Sequence, residues 1–177
     1  MKKIESTWEQ RVADLWKAMD DYSPDAFVVQ MDALAAELPP HDALGLFERG
    51  SAQDSTGHSD LAVPLYRAAL KAGLTGLSRR QATIQMASSM RNLGDAQEAA
   101  DLLAAEARVT SDELDGAVQA FLALALADLG REREALAISL TALSRYLPQY
   151  NRSLANYASE IAQRDAAGPH TLQDKDV

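Results

Sequence analysis

Three glycines, Gly57, Gly94 and Gly130, each stand between two apolar-periodic runs, separated by 37 and 36 residues. This near-constant period constrains the fold more than any other feature, because it implies a repeated supersecondary unit rather than one irregular core. The stretch around the second glycine, "MASSMRNLGDAQEAADLL" from Met86 to Leu103, displays the unit. It has a helical run, the break Asn92-Leu93-Gly94-Asp95, and a second helical run with alanines at its inner positions. Aligned on the glycines, the copies carry Gly50, Ala87 and Ala123 seven places before and Ala62, Ala99 and Ala135 five places after. Twelve places after come Ala69, Glu106 and Ala142, of which Glu106 breaks the series. Small residues recur where two helices approach closely, because a side chain beyond a methyl holds the backbones apart.

The rest of the chain also reads as helical. Valine and isoleucine are scarce beside alanine and leucine, and the prolines and glycines sit mostly between the periodic runs. The fold class is therefore all-α. A helix is expected from about Glu5 to Met19. Ser23-Pro24, a serine N-cap followed by proline in the first turn, opens another that ends before Pro39-Pro40. Gly73 in "AGLTGLS" reads as a helix stop in the left-handed conformation.

The period, the small residues and above all "GHSDLAVPLYRAAL" resemble the tetratricopeptide repeat, a helix–turn–helix of about 34 residues. Gly57, Ala62, Tyr66 and Ala69 match its turn glycine, packing alanine, aromatic and second alanine. The detail resembles the small stand-alone bacterial members. The resemblance implies a right-handed α-α superhelix of about three repeats, near 42–74, 79–111 and 115–148, with flanking helices. A degenerate N-terminal hairpin at 5–38, in which Ala26 and Ala33 repeat the spacing of Ala62 and Ala69, and a capping helix at 150–164 complete one domain over 1–164. Leu154, Tyr157, Ala158 and Ile161 form the apolar stripe of that cap. Residues 165–177 lack such a stripe and are expected to be disordered. The chain departs from the family where an aromatic is usual eleven places before the turn glycine: it has Leu46, Thr83 and Gln119. Arg49 replaces a leucine and Ser139 an aromatic.

Composition narrows the function. At 177 residues and 47% apolar, the chain suits one folded domain. Its lack of cysteine removes disulfides and thiolate chemistry. A net charge of −9 repels a phosphate backbone, so no nucleic-acid partner is expected. "MKKIESTWEQ" has no apolar signal core, and "FLALALA" falls far short of the roughly 20 residues of a membrane helix, which points to a cytoplasmic protein without membrane contact. His41, His58 and His170 share no metal-binding spacing, and no glycine loop suits a phosphate. "NRS" at Asn151 matches a glycosylation acceptor but reads as helix sequence. Neither a catalytic group nor a cofactor is expected.

The resemblance instead implies a concave groove lined by the first helix of each repeat. Its positions fall on Leu44, Phe47, Ser51, Asp54 and Ser55 in the first copy, and on Gln81, Ile84, Ser88, Arg91 and Asn92 in the second. The third copy supplies Ala117, Ala120, Leu124, Ala127 and Asp128 and is almost wholly apolar. From these, the groove residues expected to bind are Phe47, Ser51, Asp54, Gln81, Ile84, Gln85, Ser88, Arg91, Asn92 and Leu124. Asp54 and Arg91 occupy equivalent places, so either they pair with each other or Arg91, with Asn92 and Gln85, takes a peptide carboxylate or amide. Some members grip the C-terminal carboxylate of chaperones with a lysine and asparagine clamp. The corresponding places here are Phe47, Ser51, Gln85, Ala117 and Phe121, so that clamp is missing. Arg79-Arg80 reads as a solvated basic pair. The expected function is a non-catalytic module that binds a protein or peptide in the groove. The alternative is a self-assembling unit whose groove is filled by its own helices or by the second subunit of a homodimer.

Overall fold

A computed structural model describes residues 7–109 and 112–166, and the expected disordered tail falls almost entirely outside them. Among the described residues all regular structure is helical: α1 (Trp8–Lys17), a 3₁₀ turn (Met19–Asp21), α2 (Pro24–Ala35), α3 (Ala43–Ser55), α4 (Ser59–Lys71), α5 (Gly76–Asn92), α6 (Ala96–Val109), α7 (Asp115–Asp128), α8 (Glu132–Ser144) and α9 (Asn151–Ala166). They form two compact units, α1 to α5 up to Asp95 and α6 to α9 from Ala96.

The three periodic glycines make the same turn. Gly57, Gly94 and Gly130 have φ of 89°, 96° and 73°, a region where a Cβ is strained. In each turn the residue after the glycine donates its N–H to the carbonyl five residues back, His58 to Gln53, Asp95 to Met90 and Arg131 to Leu126, all at 2.9 Å. This is the Schellman closure, which satisfies carbonyls left over at a helix end. Gly73 stops α4 in the same way, with Leu74 N–H on the Ala69 carbonyl. At the other kind of boundary, the Ser23 hydroxyl accepts from Ala26 N–H and Pro24 occupies the first turn of α2.

In the first unit α3 packs on α4 through the small positions. Ala62, Tyr66 and Ala69 are fully buried. Gly50 lies so close to Tyr66 that an added Cβ would stand 3.0 Å from the ring. The Tyr66 ring leans on Phe47, with centroids 6.3 Å apart. Ahead of this pair, Val12, Leu15, Phe27, Met31 and Ala52 form a second cluster that joins α1 and α2 to α3. Trp16 stacks at a tilt 5.0 Å from Phe27 and donates Nε1–H to Glu48 Oε2 at 2.7 Å, while Trp8 Nε1–H bonds the Leu34 carbonyl at 2.8 Å. The buried face of α2 is thus Phe27, Met31 and Ala35. Ala33 is exposed and Ala26 half-buried, because the buried stripe runs through Phe27, Met31 and Ala35 at i, i+4 and i+8, and the alanine pair lies off it. Arg49, the departure from leucine, points outward and bonds Asp32 of α2 at 2.7 Å. Arg80 is not solvated: it is only 2% exposed, because the face it occupies on α5 is the one that carries Thr83, Ala87 and Met90 into the interior.

In the second unit α7 packs on α6 and α8, and α8 on α9. Ala99, Ala123, Ala135 and Ala142 are buried, and so is Glu106, which occupies a small-residue position. Among the residues of α9 whose burial is described, Ala158 alone is fully buried. Leu154 and Ile161 are half-buried, whereas Tyr157 projects into solvent.

Candidate functional site

In the first unit, the faces of α3 and α5 read as groove-lining have different fates. Phe47 and Ser51 of α3 and Ile84 of α5 are buried in the interior of the first unit. Asp54 is half-buried and anchors a polar network across three helices: it accepts from Ser89 Oγ of α5 at 2.6 Å, and the Tyr66 hydroxyl of α4 lies 3.5 Å from its other oxygen. The same hydroxyl is 3.5 Å from Ser51 Oγ, which in turn donates to Gln85 Oε1 at 3.2 Å. Burial pushes the Asp54 carboxyl above its ordinary value, against the opposing hydrogen bonds of Ser89 and Tyr66. Burial likewise raises Tyr66, and the Asp54 and Glu48 charges add to it. Ser89 and Tyr66 are fully buried, so they have no face for a substrate, and the network acts as a tie between helices. The sequence did not single out Ser89. Its signal was its place two residues before Arg91, on the packing face of α5 beside Met86 and Met90.

Beyond Leu77 in its first turn, what α5 leaves open is polar. Gln81, Gln85, Ser88 and Asn92 are spaced at i, i+4, i+7 and i+11 and share one stripe, with Gln81 and Asn92 exposed and the other two half-buried. Arg91 stands beside the stripe, half-buried. Carboxamides and hydroxyls offer both donors and acceptors without a charge to desolvate.

In the second unit the open face of α7 is apolar as far as the exposed Asp128 at its end. Ala120, Leu124 and Ala127 are exposed along one stripe, Leu124 at 45%, while Val118, Leu122, Ala125 and Leu126 take the buried side. Two cavities open where the repeat pattern lacks its aromatic. One of about 420 Å³ lies beside Leu46 in the first unit, between α2 and α3. The other, of about 280 Å³, lies beside Gln119 in the second, among α7, α8 and α9.

Among the described residues no cluster of three histidine, aspartate or glutamate side chains could hold a metal ion, and no helix is long and apolar enough to cross a membrane. A family model described as Tetratrico peptide repeat matches residues 43–161, most of the chain. No curated protein and no solved structure matches it.

Proposed function

The chain belongs to the tetratricopeptide repeat family, and from that premise we propose that it is a non-catalytic module that binds a peptide or protein through the open faces of its first helices. The observation that carries this reading is the stripe of Ala120, Leu124 and Ala127 on α7. Leaving Leu124 in water forgoes about 25 cal/mol for each Å² of apolar area, so covering it is a source of affinity. The first unit by itself offers a second surface, the polar stripe of α5, where Gln81, Ser88 and Asn92 can pair with a peptide backbone and Arg91 suits a carboxylate. Both stripes belong to groove-lining positions of the family.

The test is a quantitative pull-down from native lysate with the parent and Leu124→Asp, alongside sedimentation of each protein alone. The substitution is on an exposed face, so the melting temperature should not change. Loss of a specific co-purifying protein supports the proposal. A parent dimer that Leu124→Asp dissociates would replace the external partner with a second copy of the chain. If both proteins retain the same partners and the same mass, the stripe is not a binding surface.

A further inference from the structure

The third hairpin ends on an open face of α8. Six and nine places after the turn glycine, the first repeat has Val63 and Tyr66 and the second has Ala100 and Leu103, and all four are buried. A following first helix packs on each of those second helices, α5 on α4 and α7 on α6. Tyr66 belongs to the contact with α5, since its hydroxyl lies beside the Asp54 carboxylate that accepts from Ser89. At the same places the third repeat has Leu136 and Ser139, and both are exposed, Leu136 at 48%. The helix that follows, α9, packs on α8 by a different face. The α8 residues that share a cavity wall with it are Glu134, Ala137, Ile138 and Thr141. Pro64 and Asp101, which hold the place of Ala137 in the earlier repeats, face solvent. The face that is buried in the first two repeats is therefore uncovered in the third. Leu136, Leu140 and Leu143, at i, i+4 and i+7, run along it, with Leu143 49% exposed and Leu140 half-buried. Ser139 beside them returns its hydroxyl to the Ala135 carbonyl at 2.8 Å, so it needs no water. The end of a repeat array stays soluble when its outer face is polar, and this one is apolar.

We propose that this face binds the same face of a second copy, in a two-fold dimer whose two α8 helices run antiparallel. The contact continues the packing that the repeats already make within the chain, helix on helix through leucines and small residues. In the first unit α1 and α2 cover α3, so the open end has a like end rather than a first repeat to meet. Its spacing is self-complementary: an axis beside Ser139 and Leu140 sets Leu136 of one copy against the partner's Leu143 and leaves the small Ser139 at the crossing. Antiparallel α8 helices also place the N-terminus of one dipole beside the C-terminus of the other. Three leucines and a serine cover less than the roughly 800 Å² per partner of a standard interface, so association is weak, with a Kd of about 10 to 100 μM. The dimer does not depend on the Leu124 stripe or on the partner proposed for it.

The experiment is sedimentation of the full chain from about 5 μM to about 1 mM, over which the parent should pass from monomer to dimer. Leu136→Asp and Leu143→Asp change exposed positions, so both should keep the Tm of the parent. Each should raise Kd about tenfold or more, because it buries a charge in the contact. Leu124→Asp should dimerise as the parent does. Leu136→Glu and Leu143→Lys should each dissociate the dimer, and the two combined should restore it, since the antiparallel axis brings each charge against its opposite. The chain has no cysteine, so Ser139→Cys supplies a single thiol. On oxidation it should form a disulfide-linked dimer at concentrations where Ser55→Cys, at an exposed place on α3, stays monomeric. A dimer that the α8 variants leave intact, or that Leu124→Asp alone dissociates, would overturn the proposal. So would a mass that grows past the dimer, which would mean open-ended stacking. A parent that is monomeric throughout would also overturn it, and if Leu136→Asp then loses a co-purifying protein, the face belongs to a foreign helix instead.

Discussion

Gly50→Ala separates helix propensity from interhelical packing, because the two push in opposite directions. In a helix interior alanine is favoured over glycine by about 1 kcal/mol, so propensity alone makes the variant more stable. The new methyl, however, would stand 3.0 Å from both Cδ1 and Cε1 of Tyr66 and 3.3 Å from Leu65 Cβ, whereas carbon atoms rest about 3.5 to 4.0 Å apart. Neither neighbour can yield cheaply. The Tyr66 ring is fully buried against Phe47 and its hydroxyl is held between Ser51 and Asp54, while Leu65 Cβ is attached to the α4 backbone. α3 and α4 must therefore part by a few tenths of an ångström, an overpacking that costs about 1 to 3 kcal/mol. The net effect is a loss of about 1 kcal/mol. For a chain of this length that lowers Tm by about 2 to 4 °C, read by circular dichroism. In a Tyr66→Leu background the ring is gone, and the same glycine substitution should raise Tm instead. A double-mutant cycle measures the difference. If Gly50→Ala raises the Tm of the parent, or lowers it equally in both backgrounds, the close approach at Gly50 does not govern this hairpin.

Two further outcomes follow from the packing and the polar network. Ala99 and Ala135 are buried at the repeat's small positions, so Leu at either should cost about 1 to 3 kcal/mol in thermal melts, whereas Ala33→Leu, on the exposed side of α2, should be nearly neutral. Because burial raises the Asp54 carboxyl above its ordinary 3.8, the folded protein holds that proton more tightly than the unfolded chain does. Stability from this group is fully present below the ordinary value and is lost as pH rises through the raised one. Urea unfolding of Asp54→Asn against the parent should therefore show a difference that shifts in favour of the variant from about pH 4 upward and then levels off. Glu48 is raised in the same direction but is common to both proteins, so it cancels. A difference that stays flat with pH would exclude Asp54 as the titrating group.

The features legible in the sequence are those set by local chemistry or by repetition. A left-handed backbone position calls for glycine whatever surrounds it, so Gly57, Gly94, Gly130 and Gly73 could be read directly as helix ends, and Ser23-Pro24 as a helix start. Three aligned copies turned the small positions into a statement about contact, and all of them are buried. Tertiary structure decided everything that depends on which helix lies next to which. Phe47, Ser51 and Ile84 sit at groove positions by register but are taken into the interior. The core face of α2 runs through Phe27, Met31 and Ala35 rather than the alanine pair, because α1 and α3 bring tryptophans and a small residue to meet them. Ser89 became a partner of Asp54 across 35 residues of sequence. Arg80 and Glu106 are charged by type yet buried by position. A periodicity specifies the spacing of a face; the identity of the neighbour that covers it is a long-range property, and the same spacing serves a packed face and an open one.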